Sequence, residues 1–99
     1  MKLVIAVVRP FILEKVLVAL EDIEGFPGMT VVDSVGSKRR LNTDLYDVLE
    51  PFQPGKRIEI AANDEMVERI VAAIKESAHT GKKGDGIITV LHIDEAVGI

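Results

Sequence analysis

The spacing of apolar positions changes several times along this chain, and each change marks an element. Leu3 to Val8 is a continuous apolar run rich in β-branched residues and closed by Pro10, the pattern of a strand buried on both faces. From Leu13 the spacing becomes helical, with Leu13, Val16, Leu17, Leu20 and Ile23 on one stripe. Gly25 offers a stop, and Pro27-Gly28 turns the chain. Met29 to Val35 predicts a second strand, roughened by Asp33 and Ser34 as it leaves the core. Residues 37–55 lose periodicity and collect charges, two prolines and a glycine. A loop of that length in so small a domain is usually functional.

Alternation returns at Arg57 to Ala62, a third strand with Ile58 and Ile60 on one face and Glu59 on the other. Asn63 or Asp64 caps a second helix with acids in its first turn and a stripe of Val67, Ile70, Val71, Ile74 and Ala78. The segment TGKKGDG at 80–86 is a turn, and Ile87 to Ile93 is the last strand. The order is β-α-β, long loop, β-α-β, which predicts an α+β ferredoxin-like βαββαβ sandwich, a four-stranded antiparallel sheet with both helices on one face. Strands one and four are apolar on both faces, so the face away from the helices calls for a cover. Self-association through the sheet is the simplest cover for a chain with no further domain.

Composition narrows the function classes. Ninety-nine residues make a single domain, 47% hydrophobic and 28% charged, with only four aromatic residues, so Val, Ile, Leu and Ala build the core. A net charge of −4 argues against a nucleic-acid binder, which has to neutralise phosphates. The absence of cysteine removes disulfides, a thiol nucleophile and thiolate metal sites. The opening MKLVIAVV stops at Arg9-Pro10 with no cleavage site after it, and no run approaches the roughly 18 apolar residues of a bilayer span. The expectation is a cytoplasmic protein without direct membrane insertion.

Candidate chemistry is sparse. TGKKGDG reads either as a plain helix-to-strand turn or as an anion nest, its glycines letting backbone N–H groups converge while Lys82 and Lys83 add positive potential. Lys38, Arg39 and Arg40 form the one basic cluster, a solvated loop or a contact for phosphate or partner. Glu59 is either a solvated carboxylate on an edge or, in a cleft, a hydrogen-bond acceptor. His79 and His92 are not at ligand spacing, so no metal site is expected. No nucleophile-base grouping is present, which predicts a protein that is not an enzyme.

Taken in order, KLVIAVVRPFILEKVLVAL, GMTVVDSVG at 28–36, TDLYD at 43–47, KRIEI at 56–60 and TGKKGDG at 80–86 resemble the P-II nitrogen-regulatory family through nearly the whole chain. The resemblance implies a signal-transducing homotrimer spanning 1–99, with a partner-docking T-loop at about 37–55 and a B-loop at about 80–86. It implies no tightly bound cofactor but an adenine nucleotide effector (ADP, AMP or ATP) between subunits, and a transporter or enzyme as the regulated partner. By position, Val7, Gly28, Thr30 and Glu59 match residues around adenine and ribose. Gly36 and Arg39 match the T-loop base, and Gly84, Asp85 and Gly86 match the phosphate cradle. Arg39, Arg40 and Tyr46 are the expected partner contacts. Departures are equally visible: Ile87 stands where the family has a lysine, Gly55 where a lysine helps bind 2-oxoglutarate, and Gly98 where a phosphate-binding arginine falls. The T-loop is about four residues shorter and lacks the usual modified tyrosine, so an altered ligand preference is expected, with bicarbonate or metal sensing, or a ligand-free interaction module, as alternatives.

Overall fold

The computed structural model describes residues 1–37, 51–82 and 84–99. Its elements are β1 (Lys2–Val8), a 3-10 turn (Pro10–Ile12) running into α1 (Leu13–Glu21), β2 (Thr30–Ser37), β3 (Phe52–Ala62), α2 (Asp64–Ala78) and β4 (Gly86–His92). The sheet order is β2-β3-β1-β4, with every neighbouring pair antiparallel. This is the predicted ferredoxin-like topology, with strands one and three in the middle.

Each boundary has a local cause. Arg9 is extended and Pro10 opens the 3-10 turn, its fixed φ suiting that first position. β1 therefore cannot continue past Val8. α2 starts after Asn63, which holds the extended conformation of an N-cap, and its first turn carries Asp64 and Glu65 where the helix dipole favours acids. Gly25, with φ at 81°, reverses the chain a few residues after α1 ends.

Burial follows the two periods. Val4, Ala6 and Val8 of β1 and Ile58, Ile60 and Ala62 of β3 point to the helices and are buried. They meet Val16 and Leu20 of α1 and Val67, Ile70 and Ile74 of α2 in one core cluster. Removing each of the larger side chains from water stabilises the fold by roughly 1.5–3 kcal/mol. The opposite face is less well covered: Leu3, Ile5 and Val7 are half-buried, while Ile87 and Leu91 beside them on β4 are 66% and 43% exposed. A strand buried on both faces is thus buried on one face in the single chain, and an apolar stripe remains on the other.

The largest difference from the sequence reading lies in the β2–β3 hairpin. β2 runs to Ser37 and β3 begins at Phe52, so residues 52–55, assigned to the loop by their irregular composition, belong to the ladder. Pairing of β1 with β3 ends at Val8 opposite Lys56, so the four rungs from Ser34–Gly55 to Ser37–Phe52 project beyond β1. A hairpin that buries neither face needs no alternation, and Pro54 is tolerated because β3 has lost one neighbour there.

Ile70 is fully buried between α2 and the sheet. Ile70→Ala is expected to lower the unfolding free energy by about 2–5 kcal/mol in urea titrations, whereas the exposed Val18→Ala should change it by less than about 0.5 kcal/mol.

Candidate functional site

The end of β1 is where the chain brings its unusual residues together. Val8 pairs with Lys56 of β3 on one side and with Gly86 of β4 on the other. Beyond it, the projecting hairpin forms one wall of a corner and the 84–86 segment forms the other. The cavity between them is about 460 Å³, within the range of small-molecule sites. Val7 and Arg9 come from the end of β1, Ser34 and Gly36 from β2, Gln53, Gly55 and Arg57 from β3, and Gly84 to Ile87 from the loop and β4.

Two glycines keep this corner open. Gly86 has φ at 145°, and a Cβ there would stand 2.1 Å from the Val7 carbonyl oxygen. No side chain fits between β4 and β1 at that rung. At Gly55 a Cβ would lie 3.0 Å from Ser34 Oγ and 3.1 Å from Val7 Cγ1. Ser34 Oγ itself is buried and has no hydrogen-bond partner among the described residues.

Asp85 ties the loop to its surroundings. The Thr80 backbone N–H donates to Oδ2 at 2.7 Å, the Thr80 hydroxyl donates to Oδ1, and Arg9 Nε donates to Oδ1 at 3.3 Å. His79 Nδ1 lies 3.7 Å from Oδ2. The Thr80 hydroxyl first, the Thr80 backbone next and Arg9 after them hold the carboxyl at about 2, below its ordinary 3.8, against an opposing effect of burial. One carboxylate thus fastens the end of α2 and the end of β1 to the start of β4.

Five of the residues singled out from sequence, Val7, Gly36, Gly84, Asp85 and Gly86, meet at this cavity. Three do not line it. Thr30 and Glu59 face each other across the β2–β3 ladder, where Arg57 Nη2 donates to Glu59 Oε2 at 3.0 Å. Gly28, with φ at 99°, borders a separate depression beside Phe26 and Met29. Arg39, Arg40 and Tyr46 lie outside the described residues. The sequence reading passed over Arg9, Ser34, Gln53 and Arg57 as site residues. The signal for two of them is period-two spacing, since Arg9 follows Val7 and Arg57 follows Gly55 by two residues. The register that brings the pairs together is not local information.

His79 and His92 are both exposed, and no group of three or more metal-binding side chains converges among the described residues. Among the same residues, no helix is long and apolar enough to cross a membrane.

The structure is thus an α+β ferredoxin-like fold with a ligand-sized corner at the root of a projecting hairpin. The family model for nitrogen regulatory protein P-II matches residues 1–99. Similar proteins include the nitrogen regulatory protein P-II of Azospirillum brasilense, 38% identical, and that of Rhizobium etli, 44% identical. That of Haemophilus influenzae is also 38% identical. Each alignment covers all of this chain and 91% of the relative, and runs over 103 positions against the 99 residues here. The chain belongs to the P-II nitrogen regulatory family of signal-transduction proteins.

The folded chain keeps Asp85 ionised to lower pH than the unfolded chain does. Its stabilising effect is complete above about pH 4 and is lost as pH falls towards about 2. The stability gap between wild type and Asp85→Asn, from urea unfolding at steps between pH 5 and pH 2, should narrow across that window. A gap that stays constant would mean that the carboxylate is not the fastening group.

Proposed function

We propose that this protein is a homotrimeric P-II regulator that takes an adenine nucleotide, or a related small effector, into the corner cavity and reports its presence to a partner through the 37–55 loop. The observation that carries the reading is the convergence of Val7, Gly36 and Gly84–Gly86 on one cavity at the root of the hairpin that leads into that loop. A ligand there touches the projecting strands and the glycine turn together, so it binds one hairpin setting better than another. The uncovered stripe of Leu3, Ile5, Ile87 and Leu91 supports assembly through the sheet, with a neighbouring subunit covering it. Thr30, Glu59 and Gly28 stand apart from the cavity of their own chain, and in this reading they serve the cleft once a second copy closes it. The regulated partner is a transporter or an enzyme, and the protein itself acts by binding in the cytoplasm, without catalysis.

The nucleotide preference follows from the charges present. Ile87 and Gly98 offer no cation at two positions where the family supplies phosphate contacts, each worth roughly 1.5–3 kcal/mol. Isothermal titration with AMP, ADP and ATP, with and without magnesium, is expected to give micromolar binding in which ATP is not clearly the tightest. Silence across all three would transfer the reading to a non-nucleotide effector at the same corner. Light scattering on the purified protein is expected to give three chain masses, and a monomer at micromolar concentration would remove the shared cleft.

A further inference from the structure

We infer that the Asp85–Gly86 peptide is a modification site, where the chain converts to isoaspartate whenever the turn opens, and that Thr80 and Arg9 hold the reaction off in the fold. The inference is independent of any ligand the corner takes.

The chemistry needs only these two residues and water. The Gly86 main-chain nitrogen attacks the carboxyl carbon Cγ of Asp85, and an N–Cγ bond forms. The amide proton and the carboxyl hydroxyl leave together as water, which closes a succinimide ring. Water then adds to one of the two ring carbonyls. Addition at Cγ restores aspartate. Addition at the main-chain carbonyl breaks its bond to nitrogen and leaves the chain running through Cγ. The sum is an isomerisation, with no oxidant, no reductant and no net water.

Sequence and packing make this pair the place for it. Ring closure is least hindered where the following residue has no side chain. Asp85–Gly86 is the only Asp-Gly pair in the chain, and the chain has no Asn-Gly. The fold also forces the glycine, because a Cβ on residue 86 would stand 2.1 Å from the Val7 carbonyl oxygen. A bulkier neighbour, which would slow the attack, is thus excluded by the close approach of β4 to β1.

The folded turn withholds what the reaction requires. Oδ2 accepts from the Thr80 backbone N–H at 2.7 Å, and Oδ1 accepts from the Thr80 hydroxyl and from Arg9 Nε. Turning the carboxyl onto the next nitrogen breaks these contacts to two other segments. Gly86 is itself the rung opposite Val8, which fixes the peptide that would have to rotate. The leaving hydroxyl also calls for a protonated carboxyl, and the same donors oppose it. Held at about 2 rather than 3.8, the group is protonated roughly tenfold or more less often near neutral pH. Conversion would undo the fastening, since isoaspartate adds a methylene to the main chain and shortens the carboxyl branch.

The test is peptide mapping by mass spectrometry of the full chain, aged in warm neutral buffer made with heavy-oxygen water, both folded and in urea. Each ring closed and reopened leaves a heavy oxygen at residue 85, and fragmentation distinguishes isoaspartate from aspartate. The urea sample is expected to gain both, and folded wild type to do so at least about tenfold more slowly. Folded Thr80→Val should age severalfold faster than wild type, whereas Thr80→Ser, which keeps the hydroxyl, should stay near it. Absence of label at Asp85 in urea, or equal rates folded and unfolded, would overturn the inference. A Thr80→Val chain that ages like wild type would overturn it as well. Asp33–Ser34, within β2, reports opening of the whole fold. If Thr80→Val raises labelling there in step with Asp85, the protection is global and the role given to Thr80 fails. Should Thr80→Val not fold, Arg9→Gln carries the comparison: faster ageing at Asp85 alone upholds the inference, and an unchanged rate sinks it.

Discussion

The point at which β1 stops is the constraint on which the rest of the structure depends. Among the described residues, β1 is the only strand with ladders on both sides along its whole length, and Pro10 ends it at Val8. On one side β4 has to arrive so close to Val7 that its first residue is a glycine. On the other side β3 pairs onward with β2 alone. A corner results between the end of β1 and the β2–β3 hairpin that runs past it. The core behind it, built from Val, Ile, Leu and Ala on β1 and β3 against two helices, keeps that strand end rigid.

Asp85 resolves a difficulty intrinsic to such a corner. A carboxylate drawn partly out of water at a strand end is costly unless hydrogen bonds take up its charge. Here both oxygens are used by Thr80 and Arg9, so the negative charge serves to fasten the turn. The same contact orients Arg9 at the end of β1. This coupling joins three segments distant in sequence: the end of β1, the end of α2 and the start of β4.

Much of the fold was legible because its elements announce themselves locally. The apolar run of β1, the stripe of α2 from Val67 to Ala78 and the alternation around Ile58 and Ile60 each need only a window of residues to be recognised. The hairpin stem was not legible, because Phe52 to Gly55 pair without burying a face and so leave no period in the sequence. The site was legible in part. The glycine turn at 84–86 is a compositional signal, whereas Arg57 looked like an ordinary strand residue until register set it opposite Val7. Thr30 and Glu59 matched the family by position and were expected around the ligand, yet they face each other along the open sheet. A site completed by a second copy, as the proposed function has it, would leave no trace in single-chain spacing.

The four overhanging rungs also behave as a mechanical arm. At about 3.4 Å per residue they reach roughly 13 Å past the last support that β1 gives, with the rung of Ser34 and Gly55 at their root. A tilt of about 10° at that root would sweep the final rung through about 2 Å. Geometry alone therefore supplies gain: a small change in the corner becomes a displacement as large as a side-chain contact at Phe52, with no rearrangement of the core.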